Sequence, residues 1–460
     1  MTNFSSLDLN QQLLENLSSL GYSSMTEIQA QSLPPILSGK DVIGQAKTGS
    51  GKTAAFGLGI LNKLKVKEFR IQSLILCPTR ELADQVAKEI RKLARTIHNI
   101  KVLALCGGSP LGPQLGSLEH GAHIIVGTPG RIEEHLRKGT LELKHLESLV
   151  LDEADRMLDM GFQASLEAIL KHVPSNRQSL LFSATFPEQI KVLASTLMNN
   201  PVLVQVQQNQ NDSTIEQSLF EIREGDSRSE AIRQLLLHFK PKSTLIFCNT
   251  KIETLELAKE LVSMGFSCLA LNGDLEQKVR DQTLIRFANN SISILVATDV
   301  AARGLDIDSL DAVINYHIAR ELEVHIHRIG RTGRAGKSGI ACTLFSQKEI
   351  YKVRKLEEFL QTEINRLHLP DLSHLDSKII FPEMATLQID GGRKQKVRPG
   401  DILGALTAGG TLSGDDIGKI IIADNWSFIA VKTNVAREAL HKIENGKIKG
   451  RSFRVRRLRG

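Results

Sequence analysis

The 460-residue sequence is poor in aromatic residues and in cysteine, and it lacks the segments that mark several classes of protein. It has one Trp and three Tyr, and its five cysteines include no CxxC pair. No apolar run approaches the ~18 residues of a membrane span, and the first Lys is Lys40, so no basic region opens a secretory signal. We therefore expect no disulfide, no zinc site and no membrane segment, and we expect a cytoplasmic protein.

The excess of positive charge lies at one end of the chain. Lys and Arg number 58 against 51 Asp and Glu, which gives a formal net charge of +7. Residues 381–460 hold 15 basic and 8 acidic side chains, which leaves 43 of each in residues 1–380. A charge-balanced body with a basic appendage is typical of proteins that touch nucleic acid or an anionic lipid surface. The composition, 41% hydrophobic and 24% charged, excludes a disordered or fibrous chain.

Hydrophobic periodicity divides the chain into three folded parts. Apolar runs alternate with amphipathic helical patterns from about 40 to 205 and again from 243 to 317, as in parallel sheets covered by helices. The polar stretch 207–214 interrupts this alternation and indicates a linker. We predict α/β domains over 1–206 and 215–365, a linker over 366–382 and a small domain over 383–460.

The last part of the chain has its own pattern. The order of strand-like and helical segments is β-α-β-β-α-β, which is typical of a small α+β domain of the ferredoxin-like type. Seven Lys or Arg residues follow from Lys447 onward with no acidic residue, and four more cluster over 393–398. If the two clusters lie on one face, they would bind phosphates with a strong dependence on salt.

A glycine-containing loop predicts a phosphate-binding site. The segment AKTGSGKT (46–53) follows a strand pattern and should open a helix. Gly49 and Gly51 let the backbone wrap a phosphate without clashes of Cβ atoms. Lys52 would reach the β- and γ-phosphates, and Thr53 would ligate Mg²⁺. The alternative is an ordinary Gly/Ser turn, which the strand-loop-helix context disfavours.

Acidic residues follow a second buried strand pattern. In Asp152-Glu153-Ala154-Asp155, Asp152 fits a Mg²⁺-holding role and Glu153 fits a general base. Alone, such a string is more often an acidic helix cap. The preceding phosphate loop, and the Ser183-Ala184-Thr185 segment after the next apolar strand, favour the catalytic interpretation.

These residues, in this order, resemble the motifs of the DEAD-box RNA helicases of superfamily 2, over residues 4 to about 365. The resemblance implies two tandem RecA-like domains, ATP and Mg²⁺ as ligands, and RNA as partner. It implies that Gln29 binds the adenine edge and that Tyr22 stacks on the ring. The phosphates would be held by Ala46, Lys47, Thr48, Gly49, Ser50, Gly51, Lys52 and Thr53.

The same resemblance implies further roles. Arg331 and Arg334 are similar to arginine fingers that stabilise charge on the γ-phosphate, and Asp306 is similar to the residue that holds the ribose. Coupling of ATP to RNA would involve Ser183, Thr185, Arg303, Gly304 and His327. RNA would be bound by Pro78, Thr79, Arg80, Gly108, Thr128, Gly130 and Arg131 in the first domain, and by Gln277, Arg280 and Thr298 in the second.

The end of the chain resembles a divergent RRM. Residues 424–431 align with its RNP1 pattern and place Trp426 and Phe428 at base-stacking positions. Gln388 stands where RNP2 has an aromatic residue, so packing of Trp426 and Phe428 against a neighbouring domain is an equal alternative. A helicase core with one such domain resembles the DbpA group of bacterial DEAD-box proteins. That resemblance implies binding to a hairpin of the 23S ribosomal RNA in pre-50S particles, for which the basic clusters offer Lys394, Lys396, Arg451 and Arg454.

We therefore predict an ATP-dependent RNA helicase that unwinds RNA locally. An RNA-dependent ATPase that clamps and releases RNA without unwinding would carry the same motifs and stays open. A DNA translocase of the wider superfamily is disfavoured by the adenine-binding residues and by the RRM-like end.

Overall fold

The computed structural model of the chain describes residues 3–46, 49–206, 215–302, 310–333, 338–371 and 378–458. These residues form two units, one that ends at Val206 and one that begins at Ile215. The expected linker 207–214 lies outside the described residues. Among the described helices, none is both long enough and apolar enough to cross a membrane.

The first unit is a doubly wound α/β domain with a parallel sheet. The order of its described strands across the sheet is β3-β4-β2-β5-β6-β1-β7. The elements are α1 (Gln11–Ser19), α2 (Glu27–Leu37), β1 (Val42–Gln45), α3 (Lys52–Lys63), β2 (Ser73–Leu76), α4 (Arg80–Leu93), β3 (Val102–Leu105), α5 (Leu111–Glu119), β4 (Ile124–Gly127), α6 (Pro129–Arg137), β5 (Ser148–Asp152), α7 (Ala154–Asp159), α8 (Gln163–Leu170), β6 (Gln178–Ser183), α9 (Glu188–Leu197) and β7 (Val202–Gln205).

Helices cover both faces of this sheet, which explains why its strands are almost continuously apolar. Ile75 and Val150 pack with α3 and α4 on one face, whereas their neighbours Leu74 and Leu149 pack with α6 to α9 on the other. Because the strands are parallel, the segments after β1 to β6 all leave the sheet at its carboxyl edge. Ligands bind at this edge in open α/β sheets.

The second unit begins with another parallel α/β sheet. Its described strands have the order β10-β11-β9-β12-β13-β8-β14, and β14 extends beyond residue 365, where we expected the domain to end. The elements are β8 (Ile215–Ile222), α10 (Arg228–Phe239), β9 (Thr244–Cys248), α11 (Lys251–Ser263), β10 (Cys268–Leu271), α12 (Gln277–Ala288), β11 (Ile294–Thr298), α13 (Asp299–Ala302), β12 (Ala312–Asn315), α14 (Leu322–Ile329), β13 (Gly339–Ser346), α15 (Ile350–Leu360) and β14 (Asn365–Leu367).

A small antiparallel sheet with two helices ends the second unit, and the predicted order β-α-β-β-α-β is confirmed. The strand order is β16-β17-β15-β18. Leu387 and Ile429 face the helices and form the core with them. The elements are β15 (Met384–Ile389), α16 (Pro399–Thr407), β16 (Ile417–Ile422), β17 (Ser427–Lys432), α17 (Ala436–Asn445) and β18 (Val455–Arg457).

Candidate ATP-binding and RNA-binding sites

The loop between β1 and α3 is shaped to surround an anion. Its first residue, Ala46, donates its backbone N–H to the carbonyl of Ser183 at 3.0 Å. Gly49 and Gly51 have φ of +84° and +96°, a region that favours glycine, and a Cβ at Gly51 would collide with the side-chain amide of Gln29. Helix α3 starts directly after this loop, so its free N–H groups provide positive potential there. Lys47 and Thr48 lie outside the described residues.

Lys52 points into this loop. Its side chain is buried, and Nζ donates to the carbonyl oxygen of Ala46 at 2.8 Å. The hydroxyl of Ser50 is also buried and has no hydrogen-bond partner within the described part of the chain. Thr53 follows in the first turn of α3 and is partly exposed. A cation and donor groups at a helix start are suited to binding a polyphosphate.

The predicted adenine-binding residues lie beside the same loop. The Gln29 amide donates to the carbonyl of Gly51 at 3.1 Å, and its oxygen accepts from the N–H of Thr26 at 2.9 Å. Tyr22 donates its hydroxyl to Glu89 at 2.7 Å. Burial and this carboxylate raise the pKa of Tyr22 above its ordinary value. Gln29 therefore connects the segment before α2 directly to the phosphate loop.

Asp152 ends β5 with a buried carboxylate. The residue is 3% exposed, and burial raises its pKa to about 6, with Glu153 adding to the rise and Lys52 opposing it. Its Oδ1 atom has no hydrogen-bond partner among the described residues. A buried carboxylate oxygen without a partner is unfavourable unless a cation binds it. With the hydroxyl of Thr53, Asp152 supplies the oxygen ligands that Mg²⁺ prefers.

The residues after Asp152 connect the acidic segment 152–155 to the hydroxyl-bearing segment Ser183-Ala184-Thr185. Glu153 adopts a left-handed φ of +54° and forms a buried ion pair with Arg156 at 3.0 Å. Asp155 accepts hydrogen bonds from the N–H of Thr185 at 2.9 Å and from its hydroxyl at 2.8 Å. The N–H of Asp155 in turn donates to the hydroxyl of Ser183 at 3.4 Å. The sequence interpretation gave no role to Asp155 or Arg156, although Asp155 belongs to the motif itself.

The predicted RNA-binding residues of the first unit converge at the same edge of the sheet. Arg80 donates to the hydroxyl of Ser109 at 3.4 Å, and Arg131 donates to the carbonyl of Ser109 at 3.0 Å. The hydroxyl of Thr128 accepts from the N–H of Gly107 at 3.3 Å. The adjacent strands β2, β4 and β3 thus bring together Pro78, Thr79, Arg80, Gly108, Thr128, Gly130 and Arg131.

The corresponding residues of the second unit also meet. Arg280, in the first turn of α12, donates to the carbonyl of Ala301 at 2.8 Å. The N–H of Ala301 donates to the hydroxyl of Thr298 at 3.4 Å. Gln277 is the first residue of α12. The three predicted RNA-binding residues therefore lie around the start of α12 and the end of β11.

A buried arginine that the sequence interpretation missed holds α14 in place. Arg328 is 1% exposed and forms two hydrogen bonds with Asp299, at 2.6 and 2.7 Å, and one with Asn249 at 3.0 Å. It thereby fixes the neighbouring His327, and also Arg331, which follows the helix in a buried turn. No local pattern in the sequence signals this pair, because Arg328 and Asp299 are 29 residues apart along the chain. Arg303, Gly304, Asp306 and Arg334 lie outside the described residues.

One face of the C-terminal sheet packs on its own helices α16 and α17. The opposite face packs against α12 and the segment after it. Thr386 hydrogen-bonds the Asn289 amide at 2.9 Å, and Gln388 accepts from the Gln282 amide at 2.9 Å. Phe428 pairs with Gln388 in the sheet and is 3% exposed. The Trp426 ring lies 5.3 Å from the ammonium of Lys278. Of the two alternatives for these aromatic residues, the structure shows packing against the neighbouring domain.

The two basic clusters of the C-terminal domain are neighbours. The Lys449 ammonium donates to the carbonyl of Lys396 at 3.4 Å, and the N–H of Asp390 donates to the carbonyl of Arg454 at 2.9 Å. A Cβ at Gly391 would lie 2.5 Å from the Phe453 ring, so the two segments are in close contact. The four residues predicted to bind RNA are all exposed, namely Lys394, Lys396, Arg451 and Arg454.

Three segments of the chain match known protein families. Residues 26–193 match the DEAD/DEAH box helicase family, residues 227–336 match the helicase conserved C-terminal domain, and residues 386–457 match the DbpA RNA binding domain. The chain is 49% identical to the ATP-dependent RNA helicase DbpA of Escherichia coli (strain K12), over 100% of both chains. It is 36% identical to that of Bacillus subtilis (strain 168), over 99% of both.

A solved structure extends this likeness to three dimensions. Saccharomyces cerevisiae Dbp5 bound to RNA and ADP BeF3 matches with a TM-score of 0.73 at 27% identity, covering 81% of this chain and 97% of that one. The two parallel-sheet domains are accordingly RecA-like. With the phosphate loop, the acidic segment and the C-terminal domain described above, the chain belongs to the DbpA group of DEAD-box ATP-dependent RNA helicases.

Proposed function

We propose that this helicase acts on the 23S ribosomal RNA during assembly of pre-50S particles in the cytoplasm, and that its C-terminal domain selects the site. The observation that carries this proposal is the contact between the two basic clusters, centred on Lys396 and Lys449. It offers one exposed cationic surface on a domain whose sheet face is already occupied. In the proposed division of labour, 1–206 and 215–365 form the motor, and 383–460 forms the tether.

The ATP chemistry that we propose uses the oxygen and cationic groups at the carboxyl edge of the first sheet. Thr53 and Asp152 would hold Mg²⁺, which neutralises phosphate charge when bound. Lys52 binds the β- and γ-phosphates, and Glu153 orients the attacking water and accepts its proton. Gln29, Tyr22 and Asp306 bind the adenosine. Arg331 and Arg334 stabilise the charge that develops on the γ-phosphate.

The RNA contacts that we propose for the motor do not discriminate among sequences. The loops at the carboxyl edges offer hydroxyls, backbone N–H groups and guanidinium groups, which suit sugar and phosphate rather than base edges. Coupling to ATP would pass through Ser183, Thr185 and His327, together with Arg303 and Gly304. The bonds of Asp155 to Ser183 and Thr185 support this, because they join the acidic segment to the coupling segment.

Selection would then depend on the C-terminal domain. The resemblance to the DbpA group implies a hairpin of the 23S RNA as its target. Since the sheet face packs against α12, we assign RNA binding to Lys394, Lys396, Arg451 and Arg454 on the basic surface. Contacts of this kind provide affinity through the phosphates, and specificity would come from the shape of the hairpin.

The test is crosslinking of the full-length protein to total cellular RNA, followed by sequencing. The unchanged protein should enrich 23S over 16S RNA, and the double variant Lys396→Glu and Lys449→Glu should lose at least ten-fold of that enrichment. Lys259→Glu, at an exposed position of α11, is the matched control and should behave as the unchanged protein. Equal recovery of both RNAs by the unchanged protein would refute the targeting, while RNA-stimulated ATPase activity tests the motor separately.

A further inference from the structure

An open pocket lies at the amino-terminal edge of the first sheet, away from every motif described above. Its residues precede β2 and β3, whereas the phosphate loop and the RNA-binding loops follow the carboxyl ends of the strands. It has a volume of about 490 Å³, which is within the usual range for ligand pockets. It is lined by Val66, Lys67, Phe69, Asn99, Ile100 and Lys101.

Phe69 presents a fixed aromatic ring to solvent in this pocket. It is 54% exposed, and its ring packs edge-on against His123 with the centroids 4.5 Å apart. Gly121 lies so close that a Cβ there would come within 2.8 Å of the Phe69 ring. His123 is itself fully buried, and its Nδ1 accepts from the N–H of Lys101 at 3.1 Å. The ring is therefore supported from behind while more than half of its surface is free to contact a ligand.

The charge around the ring is positive. Lys67 and Lys101 line the pocket, and none of the described residues that line it is acidic. The nearest acidic residue in sequence, Glu68, forms an ion pair with Arg70. Lys101 donates to the carbonyl of Ser117 at 2.9 Å, which fixes the position of its ammonium. The complementary ligand is therefore an anion with a flat aromatic part.

We propose that this pocket is an accessory binding site for single-stranded RNA. One base stacks on Phe69, and the flanking phosphates lie near Lys67 and Lys101. Stacking on an exposed ring with cations beside it is how proteins hold single strands without reading sequence. The pocket is wide open rather than enclosed, which suits a continuous strand better than a free mononucleotide. The site would hold a part of the substrate RNA beyond the track that passes through the motor.

The experiment uses the full-length protein and a single-stranded oligonucleotide of 4-thiouridine, crosslinked by ultraviolet light and mapped by mass spectrometry of the peptides. We expect crosslinks in the segment 66–70 as well as in the motif segments. Phe69→Ala should remove the former and reduce affinity for this RNA about five-fold or more, since stacking on an aromatic ring is worth about 1 kcal/mol or more. Tyr351→Ala is the matched control, because Tyr351 on α15 is also 54% exposed.

Two further measurements keep the result unambiguous. Lys67→Gln changes an exposed side chain that the fold does not require, and it should weaken the crosslink in segment 66–70 even if Phe69→Ala fails to fold. Adenosine monophosphate, added as a competitor, should leave that crosslink in place. The absence of any crosslink in segment 66–70, or its removal by the mononucleotide, would overturn the proposal without affecting the targeting by the C-terminal domain.

Discussion

Asp152 lies at the candidate Mg²⁺ site, and burial of its carboxylate lowers the stability of the folded chain. Burial raises its pKa from 3.8 to about 6, so the folded chain binds more protons than the unfolded chain between these two pH values. Stability therefore falls as pH rises through this window, and the full cost is present above pH 6. The orphaned Oδ1 atom is where a cation would relieve that cost.

We predict that Asp152→Asn raises the free energy of unfolding at pH 7 while abolishing ATP hydrolysis. One pKa unit corresponds to about 1.4 kcal/mol, so the shift from 3.8 to about 6 corresponds to a gain of about 3 kcal/mol in the absence of Mg²⁺ and nucleotide. Urea unfolding at pH 7 and near pH 4 measures it, and the gain should vanish at the lower pH. Asp415→Asn, at an exposed position, is the control. A destabilised variant at pH 7 would contradict this account.

Glu153 offers a second test at the level of one residue. The Glu153→Gln variant keeps the size of the side chain and an oxygen that can accept from Arg156, so the fold and ATP binding should persist. Without a general base, kcat for ATP hydrolysis should fall by roughly 10²- to 10⁴-fold. Steady-state hydrolysis and equilibrium binding of ATP measure the two effects. Normal turnover by Glu153→Gln would show that Glu153 is not the general base. The control is Glu142→Gln, which changes an exposed carboxylate and should leave ATP hydrolysis and ATP binding unchanged.

At the scale of elements, α12 has two roles. Its first turn carries Gln277 and Arg280, whereas Gln282 and the following Asn289 hold the C-terminal sheet. Asn289 and Thr386 are both buried, and removal of either side chain leaves the other with one hydrogen-bond partner fewer. Such groups couple energetically because water cannot replace the lost bond at a buried position.

A double-mutant cycle on Asn289→Ala and Thr386→Val measures this coupling. We expect an interaction energy of about 1 kcal/mol in urea unfolding followed by the fluorescence of Trp426, the single Trp of the sequence, which lies at this interface. Asn315→Ala combined with Thr386→Val is the control pair, because Asn315 bonds Thr343 in the other sheet and should give additive effects. Additivity in the first pair would mean that the docking does not depend on this bond.

The sequence predicted apolar runs from about 40 to 205 and from 243 to 317, and these ranges contain β1 to β7 and β9 to β12. The strands β8, β13 and β14 lie outside these ranges, although β13 is almost entirely buried. The strand β8 carries the exposed residues Glu216 and Glu221, and β14 is exposed throughout, so neither has a continuous apolar run. Of these two, β14 lies at the edge of its sheet, where a strand satisfies its backbone groups on one side only and needs less apolar surface.

The candidate site divides in a similar way. Residues of the local motifs, such as Lys52 and Asp152, were found because their chemistry depends on short spacings. The pairs Arg328 with Asp299 and Thr386 with Asn289 were not predicted. The two residues of each pair lie far apart along the chain, and only the fold brings them together. The role of Phe428 could not be predicted for the same reason. The sequence pattern fits base stacking and packing against a neighbouring domain equally, and only the fold shows which of them occurs.

At the scale of the whole molecule, the position of the net charge predicts how RNA binding responds to salt. Replacing Lys396 and Lys449 by Gln should reduce the slope of log affinity against log salt by about 1.5, since each phosphate contact contributes about 0.7 to 0.9. Anisotropy of a labelled fragment of 23S RNA between low and moderate salt measures the slope. Replacing the exposed Lys259 and Lys348 is the matched control. If log affinity has the same slope against log salt in all variants, the RNA does not contact Lys396 and Lys449.

The docking of the C-terminal sheet on α12 has an evolutionary consequence. A substitution at position 386 or 388 changes a surface that is matched by positions 289 and 282, in a different domain. The C-terminal domain could not be exchanged freely between relatives, because its sheet face would be complementary to the α12 of the protein from which it came. Across the DbpA group, we expect the pairs 282 with 388 and 289 with 386 to change together, whereas the exposed lysines of the basic surface should follow the RNA instead.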